Sequence, residues 1–249
     1  MRHRHLLFLL MLLPGTTRAA STATPDIDVA TLRERATAAI GGADALRALR
    51  NVDLELAIDE GGQSYRAHYR ATRDGRMRID VFVGDEGVFR EGLDARGAWE
   101  QAGADGDVQD VGEPQRQALA HGIDYKFANL WLPAHGSSVE AAGRERIAGV
   151  DYHVAKLRLA DGFETLLFVN PATWRIERKR DVRAYHPSND AKEVQVESAS
   201  ADWQPLCGVA FARTSSDHDL SSGGLLATQR IVSARCNVEE STLDIERPR

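Results

Sequence analysis

The chain has 249 residues, a length that a single β-rich domain often reaches. Hydrophobic residues make up 43% of it and charged residues 27%, a balance that argues against a disordered chain. The formal net charge of −6 argues against nucleic-acid binding, which depends on clustered lysine and arginine side chains.

The first twenty residues have the layout of a secretory signal peptide. Arg2 and Arg4 give a positive start, residues 6–13 are all apolar, and small residues precede a cleavage position after Ala19, with Ala23 as the alternative. An apolar run of this length rises about 12 Å as a helix, whereas the hydrocarbon core of a bilayer is about 30 Å thick. We therefore predict that residues 1–20 are removed and that residues 21–249 form one domain in an oxidising, extracytoplasmic space.

The mature chain begins with a helical pattern and then changes to a strand pattern. In residues 28–49 apolar side chains recur every three or four positions, which predicts an amphipathic helix interrupted by two glycines. From Asn51 to Gln101 the period is two, and turn signals such as Asp74-Gly75 divide the segment. This pattern predicts about five antiparallel strands with one polar and one apolar face.

A second helix and a second series of strands follow. Residues 114–130 place Leu119, Ile123, Phe127 and Leu130 on one side of a helix. The alternating segments after it are residues 143–147, 152–159, 165–169, 174–180, 193–202, 209–214 and 226–234. So many consecutive strands must curl or protect their edges. A curled sheet with helices over its concave face is favoured over a flat sandwich, although periodicity alone does not decide between them.

Several phrases of the chain resemble the periplasmic lipoprotein carriers LolA and LolB and their outer-membrane lipoprotein-sorting relatives. These phrases are Ala39-Ile40-Gly41-Gly42, Gly75-Arg76-Met77-Arg78-Ile79, Gly97-Ala98-Trp99, Gly149-Val150-Asp151-Tyr152 and Phe168-Val169-Asn170-Pro171. The resemblance covers residues 28–248 and implies a mainly β, α+β fold. That fold is an incomplete antiparallel β-barrel of about eleven strands, covered by N-terminal and mid-chain helices, whose hydrophobic cavity receives acyl chains.

The cavity that the resemblance implies would be lined by inward-facing apolar side chains of the strands. The candidates are Leu54, Leu56, Met77, Ile79, Val81, Val154, Leu166, Phe168 and Ile176. The alternative is that these side chains simply fill a core. Aromatic residues are scarce, at 6% of the chain, which mildly favours an adaptable aliphatic groove.

Two cysteines are too few for a disulfide-stapled miniprotein or a cysteine-rich zinc module. Cys207 precedes one predicted strand, Cys236 follows the next, and the midpoint between them falls in the intervening loop, residues 217–224. Residues equidistant from the turn of an antiparallel hairpin face each other. The spacing therefore predicts a structural disulfide between them, with two free thiols as the alternative.

Catalytic and metal-binding motifs are not evident in the sequence. The six histidines beyond the predicted signal peptide show no ligand spacing such as H-E-x-x-H, and neither a G-x-S-x-G motif nor a phosphate-binding glycine loop occurs. We therefore expect no metal, no cofactor and no enzymatic activity.

The functional hypothesis is a periplasmic, non-catalytic carrier or sensor that binds lipid or the acyl chains of lipoproteins. Its expected partners are lipid or an acylated protein, and an inner- or outer-membrane protein is a further candidate; no nucleic acid is expected, and the protein is expected to be a monomer. The alternative hypothesis is a protein-interaction or sensing domain of an envelope regulator, or a structural module without ligand.

Overall fold

The computed structural model describes residues 27–127, 138–187 and 190–248. The predicted signal peptide and Leu130 lie outside these ranges. The helices are α1 (Val29–Ala39), α2 (Gly42–Ala48) and α3 (Glu113–Phe127), and a 3-10 turn spans Glu240–Thr242. The strands are β1 (Asn51–Glu60), β2 (Gln63–Thr72), β3 (Met77–Val83), β4 (Glu86–Asp94), β5 (Gly97–Ala102), β6 (Val108–Asp110), β7 (Ser138–Ile147), β8 (Val150–Arg158), β9 (Glu164–Val169), β10 (Ile176–His186), β11 (Asp190–Leu206), β12 (Val209–Asp219) and β13 (Leu225–Cys236).

The described strands form one antiparallel sheet of 13 strands in the order β6-β5-β4-β3-β2-β1-β13-β12-β11-β10-β9-β8-β7. Two meanders, β1 to β6 and β7 to β13, are joined where β1 pairs with β13. The sheet has two edge strands, β6 and β7, and so does not close. The predicted incomplete barrel with covering helices is confirmed.

The N-terminal helices are fixed by a cap and a glycine. The Asp28 carboxylate accepts a hydrogen bond from the backbone N–H of Thr31 at 2.9 Å, which satisfies one of the unpaired donors at the start of α1. Gly41 has a φ of +120°, and a Cβ there would lie 2.7 Å from the carbonyl oxygen of Gly208. Only glycine therefore lets the α1–α2 junction rest on the β11–β12 turn.

The concave face of the sheet carries the apolar core. Its largest cluster joins α2, α3 and strands β1 to β5, and includes the fully buried Val52, Leu54 and Ala67. A second cluster packs Leu32 and Ala36 of α1 against β8 and β9. A third cluster, Tyr152, Val154 and Phe168 with partly buried neighbours, forms apart from these two.

The predicted disulfide between Cys207 and Cys236 is present, with Cα atoms 6.0 Å apart. The β12–β13 ladder runs from Thr214 opposite Arg230 to the turn, and the disulfide joins the two strands again near their other end. Cys207 lies in the β11–β12 turn with a φ of +54°, while Cys236 faces Val52 of β1. The bond therefore ties the β11–β12 turn to the end of β13, the strand of the second meander that pairs with β1.

Residues 237–248 form a strap that runs back over the outer face of the first meander. Asn51 exchanges two hydrogen bonds with the backbone of Val238, at 2.9 and 3.0 Å. Leu243 and Ile245 of the strap are buried. In the ranges that the structure describes, no helix is both long enough and apolar enough to cross a bilayer.

Candidate functional site: a helix-covered cavity

A cavity of about 470 Å³ lies between the concave face of the sheet and the three helices. This volume is in the range of small-molecule sites in proteins. Its apolar lining is Ala36, Ile40, Leu46, Leu49, Leu56, Tyr69, Met77, Ile79, Ala118, Leu119, Gly122, Leu167, Ile176, Val209, Ala210, Phe211, Ala212 and Ala227. Its polar lining is Glu91, Arg178, Lys179, Ser198, Ser200, Trp203, Ser215, Asp217 and Gln229.

Small residues on the helices leave the cavity open. Ala36 on α1, and Ala118 and Gly122 on α3, face it from above. The two α3 positions are four apart, so both lie on the same side of the helix. Large side chains at these positions would enter the space, whereas alanine and glycine leave it for a ligand.

The structure brings four of the nine predicted lining residues to the cavity: Leu56, Met77, Ile79 and Ile176. Leu54 and Val81 belong to the concave-face cluster beside it. Val154, Leu166 and Phe168 belong to the third cluster and do not line the cavity. Their strand neighbours Ala155 and Leu167 pack under α1 instead, because successive side chains of a strand point to opposite faces.

The floor of the cavity changes from apolar to polar across the sheet. On β10, β11 and β12, Lys179 is opposite Ser198, which is opposite Asp217. The Tyr185 hydroxyl donates to the Asp217 carboxylate at 3.2 Å, and burial, followed by the charge of Asp217, raises the pKa of this phenol. These polar residues are not among the predicted lining residues, because alternating polar positions on a strand are typical of a solvent-facing side.

Glu91 is an acidic group in the apolar part of the cavity wall. It lies in one cross-strand row with Ile79 and Tyr69, and the Gln115 side-chain amide of α3 donates to its Oε2 at 2.6 Å. Burial raises the pKa of Glu91 to about 7, although the bond from Gln115 opposes this shift. Near neutral pH, Glu91 therefore exchanges a proton inside the cavity.

The raised pKa of Glu91 predicts a specific pH dependence of stability. The folded protein holds this proton up to about pH 7, whereas an unfolded glutamate loses it near pH 4.5. The protonated Glu91 therefore contributes its full share of the folding stability at low pH, and this contribution is lost as the pH rises through 7. Relative to Glu91→Gln, the wild-type protein should lose about 2–3 kcal/mol of unfolding free energy between pH 5 and 8, as measured by urea unfolding. Parallel pH curves for the two proteins would contradict this prediction.

Helix α3 bridges the two sides of the concave face. Gln115 holds it to Glu91 on β4, as described above. Further along α3, His121 Nε2 lies 2.7 Å from Oδ2 of Asp161 in the β8–β9 turn, and its ring stacks on Phe163 with centroids 4.3 Å apart. Burial alone would raise the pKa of Asp161, but the bonds from the Phe163 N–H and from His121 outweigh it and lower the pKa. The helix is thus a lid held at both sides.

Loss of the His121–Asp161 contact should loosen this lid. We expect Asp161→Asn to weaken closure by about 1 kcal/mol, which is roughly a fivefold increase in the open population. Hydrogen exchange of the backbone amides of residues 113–127 measures this directly. Asp151→Asn, which removes an exposed 3.7 Å ion pair with Arg146, is the matched control. Equal hydrogen-exchange rates of residues 113–127 in both variants would show that the His121–Asp161 contact does not hold the lid closed.

The described histidines show no metal centre. His68 contacts Asp53, His121 contacts Asp161 and His186 contacts Glu60, each on a different part of the sheet or lid. No group of three or more histidine, cysteine, aspartate or glutamate residues that could hold a metal ion occurs in the described part of the chain. His135 lies outside that part.

No protein-family model matches the chain, and no curated protein matches it either. Solved structures do. A LolA superfamily protein from Nitrosomonas europaea aligns with a TM-score of 0.58 and 12% identity, over 87% of this chain and 97% of that one. A DUF1329 family protein from Desulfovibrio piger aligns with a TM-score of 0.55 and 14% identity, over 87% of this chain and 99% of that one. A protein domain from Vibrio parahaemolyticus, described as an outer membrane lipoprotein-sorting domain, aligns with a TM-score of 0.54 and 12% identity, over 86% of this chain and 95% of that one. The chain therefore has a LolA-like fold.

Proposed function

We propose that this protein is a periplasmic, non-catalytic carrier that binds acyl chains of lipids or lipoproteins in the cavity under α3. The observation that carries the proposal is a cavity whose wall is apolar on β1, β2 and β3 and includes small residues of α1 and α3. The chain is similar in fold to proteins described as a LolA superfamily member and a lipoprotein-sorting domain. The signal-peptide pattern of residues 1–20 supports the proposed compartment.

The energetics of burial favour an acyl ligand. Each methylene group that leaves water contributes about 0.8 kcal/mol, so a ten-carbon chain gains on the order of 8 kcal/mol before the costs of ordering it. The polar floor on β10 to β12 lies at one side of the same cavity, where a ligand's headgroup can form hydrogen bonds. The arrangement therefore suits an amphiphile rather than a wholly apolar molecule.

Titration with a fatty acid that carries an environment-sensitive fluorophore tests the proposal. We expect saturable fluorescence enhancement and its reversal by an unlabelled fatty acid of the same length. Glycerol phosphate, which has a polar headgroup without a chain, should not compete. No enhancement, or enhancement that unlabelled fatty acid does not reverse, would refute acyl binding.

A pull-down from membranes separates this proposal from the alternative of a protein-sensing domain. A carrier should retain lipid whether or not a protein is captured. Capture of one stoichiometric membrane protein by lipid-free protein would overturn the carrier proposal in favour of the sensing domain.

A further inference from the structure

The outer face of the first meander holds two buried arginines directly opposite each other. Arg70 on β2 pairs with Arg78 on β3, and their side chains are only 5% and 9% exposed. Like charges at opposed positions of an antiparallel pair repel, and a buried charge without a partner is costly. The pair therefore requires negative charge nearby.

Asp80 supplies the first part of that charge. Arg70 contacts one of its carboxylate oxygens, and Arg78 Nη2 and Arg90 Nε each lie 2.9 Å from the other oxygen. One carboxylate is thus shared by three guanidinium groups.

Asp244 of the C-terminal strap supplies the second part. Its carboxylate oxygens lie 3.2 Å from Arg70 Nη1 and 3.2 Å from Arg78 Nη1, and its carbonyl oxygen accepts a 2.8 Å hydrogen bond from Arg70. The Asp244 side chain is itself 72% exposed. It therefore lies at the surface end of the cluster, where water weakens its interaction with the arginines.

These groups line a crevice of about 310 Å³ on the outer face. The crevice residues are Asp53, His68, Arg70, Arg78, Asp80, Phe82, Arg90, Arg235, Thr242, Leu243 and Asp244, which bring four arginines and three aspartates together. Asp53 is already contacted by Arg235 and His68. The remaining three arginines face two carboxylates, so the crevice has an excess positive charge.

The charges of Asp53 and Glu55 also act on Arg70 from a greater distance, and two further observations describe the buried arginines. Among the residues that the structure describes, none forms a hydrogen bond with the buried Nε of Arg70. Burial lowers the pKa of Arg78, and the charges of Arg70 and Arg90 lower it further while Asp244 opposes them.

We propose that this crevice binds a phosphate group, either as inorganic phosphate or as the phosphate of a lipid headgroup. Guanidinium forks match the oxygens of a tetrahedral anion, and the negative charge of a phosphate would offset the one positive charge that Asp80 and Asp244 leave. Arg90, which is 24% exposed, connects the buried arginines to the crevice opening. The site lies on the opposite face of β2 and β3 from the cavity and is independent of acyl binding.

Inorganic phosphate, titrated against chloride at constant ionic strength, is the first test. We expect phosphate to raise the melting temperature of the wild-type protein and to bind in calorimetry. Arg90→Gln should weaken binding roughly tenfold, because one charge-assisted contact is lost. Asp244→Asn should strengthen it several-fold, because it removes the negative charge that competes with the ligand. Arg47→Gln, which removes an exposed arginine on α2 that pairs with Asp44, should bind as the wild type does.

Opposite effects of Arg90→Gln and Asp244→Asn distinguish a binding site from a purely structural ion-pair network. In such a network both variants would lower stability equally with or without phosphate, and that result would overturn the proposal. If Arg90→Gln lowers stability, calorimetry of the Asp244→Asn variant still tests the site. The proposal requires that variant to bind phosphate more tightly than the wild type, and a loss of stability would not produce tighter binding.

Vesicles separate the two sources of phosphate. Co-sedimentation with phosphatidic acid vesicles but not with phosphatidylcholine, lost in Arg90→Gln, would identify a headgroup phosphate. Binding of inorganic phosphate without vesicle binding would identify the soluble anion. Absence of both would refute the proposal.

Discussion

Combined replacement of Ile79 by tryptophan and Ala118 by phenylalanine is expected to weaken acyl-chain binding about 100-fold. Ile79 projects into the cavity from β3 and Ala118 from α3, so both larger side chains enter the space that a ligand would use. Exclusion of about four methylene groups removes roughly 3 kcal/mol of burial, which corresponds to that change in the dissociation constant. Titration with the fluorescent fatty acid measures it.

The matched control for this variant is Val182→Trp. Val182 is 53% exposed and lies on β10 outside the cavity lining. The Val182→Trp substitution adds a comparable aromatic surface without entering the cavity, so the affinity of this variant for the fluorescent fatty acid should remain that of the wild type. If the double variant folds, as judged by circular dichroism, and binds the probe normally, then the ligand does not occupy this cavity.

Removal of the disulfide is expected to lower the free energy of unfolding by about 3–4 kcal/mol in the double variant Cys207→Ser/Cys236→Ser. The two cysteines are 29 positions apart, and the loop-closure model gives this magnitude for a loop of that length. Urea unfolding of the oxidised protein and of the double variant measures the difference. Alternatively, reduction of the wild type should reproduce it. A loss below about 1 kcal/mol would show that the reduced unfolded chain is already constrained.

The same variant should also affect the helices. Ala210, three residues after Cys207, donates its backbone N–H to the carbonyl of Ile40 at 2.9 Å. The disulfide therefore fixes the segment on which the α1–α2 junction rests. We expect faster hydrogen exchange at residues 40–48 in the double variant than in the oxidised protein.

The fold could be predicted where strands have one polar and one apolar face. The observed β1, β2 and β3 agree with the alternating segments and with the Asp74-Gly75 turn. No strand is predicted at β6, because residues 105–110 are mostly acidic and polar and resemble a solvated loop. Its three residues gain their order from pairing with β5, which the local sequence does not encode.

The site could be predicted only in part, for two physical reasons. Strand β9 carries Leu166, Leu167 and Phe168 in succession, and a strand that is buried on both faces gives no alternation from which to choose the inward side. The cavity also depends on residues that are small or polar. Alanine and glycine on α3, and serine on β11, become a cavity lining only once the helix lies over the sheet.

The strands β2 and β3 carry two different environments on their two faces. Tyr69 and Ile79 line the cavity. Their sequence neighbours Arg70, which follows Tyr69, and Arg78, which precedes Ile79, line the outer crevice. Strand alternation alone produces this division. Substitutions confined to one face should therefore change one ligand and leave the other, which allows the two proposals to be tested in the same protein.

Native mass spectrometry of the full chain, expressed with its own signal peptide and purified from the periplasm without detergent, tests the central claim most directly. We expect a population whose mass exceeds that of the polypeptide by one lipid, released on activation and absent from the Ile79→Trp/Ala118→Phe variant. A ligand-free wild-type protein that stays ligand-free after incubation with phospholipid vesicles would contradict it.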